Sequence, residues 1–314
     1  MGENDEAGRQ CPLRYRYGPK AIAAVAAQPC DTLWVVGGLY GNPQALDAVL
    51  ALVQQEQAQT RARVRLCFNG DFNWFNISPS AFERINTTVL EHDVVLGNVE
   101  AELGEPLDTP DCGCAYPEHV DAGVVARSNS IHTRLKQVAQ AQPAVLARLQ
   151  ARPMFARYEV GALQLGVVHG DSESLAGWQF DPACIALPGH AQWRTAQFEQ
   201  AAVDAFASTH TCTAVLHTDT LPSGQRKVIS NNGAAGMPSV PGALAGLVTR
   251  VSVTPCTQAP VHASVCVQGV WVEQVQLNYD HSAWLAQFHQ WWPPGSPAFV
   301  SYVERITHGV SRKP

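Results

Sequence analysis

The sequence predicts an α/β sandwich in which two β-rich halves are each flanked by helices. In the first half, short apolar runs of strand length alternate with segments of helical periodicity, an order typical of a parallel sheet. In the second half, several strand-like runs follow one another, as expected of antiparallel strands. No internal repeat interrupts this pattern. We therefore expect two sheets packed face to face between helical layers.

The first half begins with the run Leu33–Val36, whose unbroken apolar character favours a strand covered on both faces. Pro43 and the apolar spacing after it indicate that a helix follows. The predicted elements are, in chain order, strand 33–36, a helix starting near 43, strand 63–68, a helix at 79–90, strand 93–98, and helices at 121–139 and 143–150.

The second half opens with two strands joined by a Gly-Ala turn in FARYEVGALQLGVVHGD, followed by a helix near 191–206. Strands are then predicted in CTAVLHT, RKVISNN, GLVTRVSV, ASVCVQ and VWVEQVQL. Near the C-terminus, Trp284, Phe288, Trp291 and Trp292 have roughly helical spacing, which indicates core packing.

Length and composition favour a single large domain. The chain has 314 residues, of which 46% are hydrophobic. We divide it into a partly ordered N-terminal arm, 1–28, and one domain, 29–314, which ends in an aromatic-rich helical segment. The nine cysteines are odd in number and scattered, which argues against a disulfide framework.

Charge and hydropathy limit the partners and the location. The formal net charge is −6 and no Lys/Arg block is present, so we expect neither nucleic acid nor a membrane as partner. No apolar run is long enough to span a bilayer, and the first ten residues lack the features of a signal peptide. The expected location is cytoplasmic. The oligomeric state is left open.

Polar residues with metal-binding chemistry follow several of the predicted strands. They are Asp71, Asn98, His169, His217 and Asp219. Ligands in open α/β folds bind at the carboxyl ends of strands, so we expect these side chains to meet there. A carboxylate, an amide oxygen and neutral imidazoles suit a divalent transition metal, namely manganese, iron or zinc.

The order of these residues resembles that of the calcineurin-like metallophosphoesterases, whose motifs run DxH, GD, GNH[DE], H and GHxH. The corresponding stretches are GLYGN (38–42), GD (70–71), GNVE (97–100), VHGD (168–171) and LHTD (216–219). The resemblance extends over residues 33–240 and includes VISNNGAAGMP (228–238). It implies a four-layer α-β-β-α sandwich of two mixed sheets.

The resemblance also implies a function and a site. The protein would be a hydrolase of a phosphoester or related phosphoanhydride, acting on a small phosphorylated molecule through metal-bound hydroxide. Asp71, Asn98, His169 and His217 would hold one metal ion, and Asp219 would support a second ion or orient a ligand. Asp71, Asn98 and Asp219 are the residues assigned to catalysis. No other cofactor is expected.

Three positions depart from the family pattern. Gly38 and Tyr40 replace the aspartate and histidine of DxH, which bind one of the family's two metals. Val99 replaces the histidine that helps to protonate the leaving group. One ion is therefore expected, and the second is left open.

The loop 101–119 is a candidate source of replacement groups because it is long, lacks periodicity and carries a CxC motif. Possible additional ligands are Tyr40, Glu100, Cys112, Cys114 and His119. Thiolate ligation would favour zinc or iron and a non-hydrolytic enzyme. A catalytically inactive binding module on the same fold is the third hypothesis. His132 is predicted to lie on a helix surface.

Overall fold

Twelve strands form two six-stranded mixed sheets in the computed structural model, which describes residues 7–108 and 111–311. The strands are β1 (Gln28–Cys30), β2 (Thr32–Val36), β3 (Val64–Asn69), β4 (Asp93–Val95), β5 (Phe155–Val160), β6 (Leu163–Val168), β7 (Ala205–Ser208), β8 (Val215–Thr220), β9 (Arg226–Asn231), β10 (Gly246–Ser252), β11 (Val261–Val267) and β12 (Val270–Leu277). Sheet A has the order β1-β5-β6-β7-β9-β8, and sheet B has the order β11-β12-β10-β2-β3-β4.

Helices precede, connect and follow these strands. They are α1 (Pro19–Ala24), α2 (Pro43–Gln59), α3 (Pro79–Val89), α4 (Asn98–Ala101), α5 (Ala122–Gln140), α6 (Pro143–Gln150), α7 (Pro182–Ile185), α8 (His190–Ala201), α9 (His281–Trp291) and α10 (Pro297–His308). Several begin with proline in the first turn after a side-chain cap; Asn42, for example, caps α2 by accepting from the amide of Ala45. Within the described residues, no helix combines the length and apolar character needed to cross a membrane.

Each sheet contains a parallel segment. In sheet A, β6, β7 and β9 are parallel, and β8 closes the edge as an antiparallel strand. In sheet B, β2, β3 and β4 are parallel, and β10 joins β2 in antiparallel orientation. The carboxyl ends of β3 and β4 therefore share one edge of sheet B, and those of β6 and β7 share one edge of sheet A.

A buried cluster of apolar side chains from both sheets fills the space between them. Leu33 and Val35 of β2 pack in one buried cluster with Leu165 and Val167 of β6. The outer face of sheet B is covered mainly by α2, α3, α5, α9 and α10, and that of sheet A by α1, α7 and α8. The result is the predicted four-layer α-β-β-α sandwich. Trp284 and Phe288 of α9 are fully buried.

The structure corrects three element boundaries. The helix predicted to reach residue 206 ends at Ala201, and residues 205–208 form the separate strand β7. The strand predicted at 212–218 lies at 215–220 and is the edge strand β8. The strand predicted at 93–98 ends at Val95, and Asn98 begins α4.

Part of the proposed N-terminal arm packs into the fold. A 3₁₀ turn at Leu13–Tyr15 precedes α1, and the side chains of Tyr15 and Ile22 are fully buried. Residues 1–6 lie outside the described residues. The domain boundary at residue 28 stays a prediction.

Candidate metal centre

Four buried side chains meet where the parallel strands of the two sheets end. Asp71 and Asn98 follow β3 and β4 of sheet B, and His169 and His210 follow β6 and β7 of sheet A. Among the described residues, Asp71, His169 and His210 are the one group of three or more histidine, cysteine or acidic side chains close enough to hold an ion together.

Nε2 of His169 lies at the middle of this cluster. It is 3.3 Å from Oδ1 of Asp71, 3.1 Å from Oδ1 of Asn98 and 3.2 Å from Nδ1 of His210. All four side chains are almost completely shielded from solvent, since the most exposed residues, Asp71 and His210, each retain 6% of their accessible surface.

The outward-facing polar atoms of three of these side chains are already engaged by backbone carbonyls. Nδ1 of His169 lies 2.9 Å from the carbonyl of Asn69, and Nε2 of His210 lies 3.0 Å from that of Cys114. Nδ2 of Asn98 donates to the carbonyl of Cys112 at 2.9 Å. A carbonyl can only accept, so each of these nitrogens carries hydrogen. In the neutral imidazoles, the ring nitrogens that face the centre therefore carry lone pairs and no hydrogen.

Four acceptor atoms facing one another require a cation or a proton between them. Burial disfavours a charged His169, but the adjacent Asp71 carboxylate outweighs burial and raises the pKa of His169. Burial, together with the neighbouring His169 charge, lowers the pKa of His210 to about 3. Without a metal, these interactions favour a proton on His169 over one on His210. The donor set of two imidazoles, a carboxylate and an amide oxygen fits a divalent transition ion.

Glu100 binds the backbone of Asp71 and does not belong to the described ligand group. Its carboxylate accepts from the backbone amide of Asp71 at 2.8 Å and from that of Asn73 at 3.1 Å. Burial and the nearby Asp71 charge raise the pKa of Glu100 to about 7. Asp71 has a positive φ of 53°, and these contacts help to hold that conformation.

Two glycines allow the loops after β3 and β4 to touch. A Cβ atom at Gly70 would lie 2.4 Å from the Cα of Gly97, and one at Gly97 would lie 2.3 Å from Oδ1 of Asp71. Neither position has room for a larger side chain without displacement of the neighbouring loop or ligand. This close backbone approach places Asp71 beside Asn98.

The structure does not bring His217 and Asp219 into this cluster. Both lie on β8, where Nε2 of His217 is 3.0 Å from Asp219 and Arg194 binds both carboxylate oxygens of Asp219. Neither joins the group formed by Asp71 within the described residues. The histidine that occupies the site is His210, in the sequence STHTC after β7.

With His210 as the histidine after β7, the last position of the GHxH motif can be located two residues further on. Aligned on His210, that position is Cys212 and not Asp219. The sulfur of Cys212 lies 2.6 Å from the hydroxyl oxygen of Tyr40. Tyr40 and Cys212, which stand at two positions that depart from the motif pattern, are thus in direct contact.

The described CxC segment, residues 111–114, lies beside the candidate centre and supplies no member of the ligand group. The sulfur of Cys114 lies 3.4 Å from Nδ2 of Asn98. The backbone carbonyl of Cys114 accepts from His210 and from the indole of Trp178. Neither Cys112 nor Cys114 belongs to the described ligand group. His119 is exposed on the same loop and is likewise outside the group.

A pocket of about 200 Å³ opens beside Asp71 and His210. Its wall is mostly aromatic or aliphatic, and the described lining includes no lysine or arginine. The principal apolar lining residues are Tyr40, Trp74, Val99, Tyr116, Val124, Trp178 and Tyr302. Because this volume lies below the range of about 300–1,000 Å³ usual for drug-sized ligands, the pocket suits a small group.

His132 was placed on a helix surface by its sequence context, and that prediction is wrong. It is fully buried, with Nε2 2.9 Å from the carbonyl of Val99. Burial lowers the pKa of His132 to about 4, so the imidazole is neutral at pH 7. It supports the backbone at the position where the family carries its leaving-group histidine.

No protein-family model matches the chain, and no curated protein matches it in sequence. Solved structures do match in fold. A metallophosphoesterase from Sphaerobacter thermophilus is 17% identical, with a TM-score of 0.54, over 89% of this chain and 100% of that one. A hypothetical protein from Pyrococcus horikoshii OT3 is 12% identical, with a TM-score of 0.56, over 91% of this chain and 100% of that one. The chain therefore has the calcineurin-like metallophosphoesterase fold.

Proposed function

We propose that the protein is a metal-dependent hydrolase of a phosphoester or related phosphoanhydride, with one divalent transition ion held by Asp71, Asn98, His169 and His210. The observation that carries this proposal is the set of four buried acceptor atoms that face one another at the strand ends. Such an arrangement is costly unless a cation or a proton lies between the acceptors, and its two imidazoles, carboxylate and amide oxygen are ligands that suit a divalent transition ion. The fold shared with a metallophosphoesterase supports the choice of reaction class.

The surrounding residues would orient the ligands. The backbone carbonyls of Asn69 and Cys114 fix the tautomers of the two histidines, which is the usual role of partners behind metal-bound imidazoles. Glu100 fixes Asp71 through its backbone amide. A divalent ion held there would supply Lewis acidity toward a phosphoryl oxygen and would lower the pKa of a water molecule.

The pocket indicates where the organic part of a substrate would lie. Trp178 is held by its hydrogen bond to Cys114 and packs edge-on against His210, with ring centroids 5.3 Å apart. Its partly exposed indole and the phenol ring of Tyr116, 5.8 Å away between centroids, offer apolar surface to a small ester group.

The test is hydrolysis of 4-nitrophenyl phosphate and bis(4-nitrophenyl) phosphate by protein loaded with Mn²⁺, Zn²⁺ or Fe²⁺. We expect turnover with at least one metal, and we expect Asp71→Asn to reduce it by at least about 100-fold because a carboxylate ligand becomes a neutral amide. Asp47→Asn is the matched control, since Asp47 is exposed and pairs with Arg84 at the surface.

The outcomes separate the three hypotheses of the sequence analysis. Metal binding without turnover of either ester would contradict the hydrolase and would favour a binding module or a different chemistry. Activity that is equally strong in Asp71→Asn would contradict the assigned site. No specific contact favours the thiolate-based alternative, because neither sulfur of the CxC motif belongs to the described ligand group.

A further inference from the structure

We propose that the hydroxyl of Tyr40, held by the thiol of Cys212, takes the place of a second metal ion and donates a hydrogen bond to the phosphoryl group of the substrate. This inference rests on the proposed function. The protein would then bind one metal equivalent, and a neutral hydrogen-bond donor would lie where the family pattern has a second metal cation.

The ring of Tyr40 fills space that a side chain at position 38 would need. Gly38 has a positive φ of 65°, and a Cβ atom there would lie 3.1 Å from Cζ of Tyr40 and 3.2 Å from the Cα of Ala234. An aspartate at position 38 would therefore project toward the tyrosine ring. Glycine at 38 and tyrosine at 40 are sterically linked substitutions.

Tyr40 is fixed at both ends. Its backbone amide donates to the carbonyl of Asp71 at 3.0 Å, and its ring packs against Phe75 with centroids 5.7 Å apart. At the other end, its hydroxyl meets the sulfur of Cys212 at 2.6 Å. A ring anchored in this way presents its oxygen at a defined place with little loss of side-chain entropy on binding.

The local ligand set does not fit a second transition ion. Of the family's ligands to that metal, only the shared Asp71 remains, and position 38 offers no donor side chain. The remaining two atoms, the Tyr40 hydroxyl and the Cys212 sulfur, satisfy each other. Neither side chain belongs to the described ligand group.

The hydrogen-bonding pattern leaves the phenolic hydrogen free to turn toward a ligand. The thiol of Cys212 can donate to the carbonyl of His210, 3.4 Å away, while its sulfur accepts from Tyr40, or it can itself donate to the Tyr40 oxygen. In the second arrangement the phenolic hydrogen is available. Tyr40, Cys212, Asp71 and His210 all line the same pocket, so this hydrogen can reach an anion bound there.

A fixed neutral donor suits a pocket whose described lining has no lysine or arginine. Hydrogen bonds to charged oxygens are stronger than those between neutral groups, and preorganised donors stabilise developing negative charge in a water-poor site. The Tyr40 hydroxyl would thus contribute to binding of the phosphoryl group in the part of the site that has lost its metal ligands.

The first measurement is metal stoichiometry, by elemental mass spectrometry, of Mn²⁺-loaded protein after removal of excess ion. We expect one equivalent in the wild type and one in Tyr40→Phe, which keeps the ring and removes only the oxygen. Two equivalents in the wild type would overturn the inference. Loss of metal in Tyr40→Phe would also overturn it, because the phenol would then be a ligand.

The second measurement is calorimetric binding of inorganic phosphate to the same Mn²⁺-loaded proteins, a readout that needs no turnover. Tyr40→Phe is expected to weaken binding by about tenfold or more, because one hydrogen bond to a charged oxygen is lost. Tyr279→Phe is the matched control: Tyr279 is a partly buried tyrosine outside the pocket lining, and its hydroxyl makes a long contact, 3.5 Å, with the carbonyl of Gly236.

Two variants at position 212 test the holding role of the thiol. Cys212→Ser keeps a hydrogen-bonding partner and should retain phosphate affinity within about twofold, whereas Cys212→Ala should lose part of it. Phosphate affinity that is unchanged in Tyr40→Phe, or undetectable in the wild type, would overturn the donor role. If phosphate binding depends on Tyr40 but no ester is hydrolysed, the proposed function fails while this inference stands.

Discussion

Replacement of His210 by alanine, compared with replacement of His217, tests which histidine of the chain belongs to the candidate metal centre. We expect His210→Ala to abolish stoichiometric metal binding and His217→Ala to leave it intact. The physical reason is position: Nδ1 of His210 faces His169 at the centre, whereas His217 lies on the edge strand β8 beside Asp219. The two variants make the same chemical change at positions only seven residues apart.

The magnitudes follow from the contacts. Residues that only orient a metal ligand are usually worth about 10–100-fold in affinity, so removal of a direct ligand should cost more than about 100-fold. His210→Ala also removes one of the two hydrogen bonds to the carbonyl of Cys114, which still accepts from Trp178, and this should cost about 0.5–1.5 kcal/mol of folding stability even without metal. His217 has 26% of its side chain exposed, and its partner Asp219 keeps both bonds to Arg194, so its loss should cost about 0–1 kcal/mol.

The assay combines equilibrium dialysis against Mn²⁺ or Zn²⁺, followed by elemental analysis, with urea denaturation of the metal-free proteins. Dialysis shows whether the replaced histidine is needed for metal binding, and denaturation measures the folding stability that is lost with its hydrogen bond. Loss of metal in His217→Ala together with full occupancy in His210→Ala would refute the assignment. Equal loss in both variants, with both still folded, would show that the centre extends to β8.

Three further predictions concern the surroundings of the centre. Asp71 raises the pKa of His169, so a proton competes with the metal for this side chain. The dissociation constant for Mn²⁺, measured by calorimetry, should therefore rise as the pH falls through the pKa of His169. A dissociation constant that does not change with pH would contradict this prediction. The double variant Cys112→Ser and Cys114→Ser should keep full metal content by elemental analysis, since neither sulfur belongs to the ligand group, and loss of the ion would restore the thiolate hypothesis. Glu100→Gln should lower the free energy of unfolding of the metal-free protein by about 1–3 kcal/mol, because an amide cannot accept from all the N–H donors that the carboxylate now satisfies; an unchanged urea midpoint would argue against its supporting role.

The sandwich architecture could be predicted from the sequence because most elements have strong local signals. The run Leu33–Val36 is wholly apolar, and α2 begins with an asparagine cap and a proline. Asp71, Asn98 and His169 could be located because each follows a strand or strand-like run that ends clearly. Their convergence is a consequence of parallel strands ending at one edge.

His210 was missed because the strand before it has no local signal. The residues from Ala201 to Ala207 are alanine-rich and, apart from Asp204, apolar, so they continue the pattern of α8. The helix actually ends through Ala202 in a left-handed conformation, with φ 52°, a role that glycine usually marks. In addition, Cys212 breaks the HxH pattern, whereas HTD at 217–219 imitates it one strand later.

The pairing of Tyr40 with Cys212 could not be predicted from sequence for a different reason. The two residues are 172 positions apart, and the contact depends on how sheets A and B dock. The burial of His132 is similar, since it depends on contact between α5 and the segment that carries Val99. Such contacts are properties of tertiary packing and leave no periodic trace in the chain.

The candidate centre draws two ligands from each sheet, and this has a consequence for how the protein folds. His169 and Asn98 are 71 positions apart and belong to opposite layers, so their meeting requires both sheets to have formed and docked. Contacts between residues so distant in sequence form slowly, and an ion that binds only the docked state stabilises that state by mass action. Metal uptake during refolding would therefore report the arrival of the two layers at their final register.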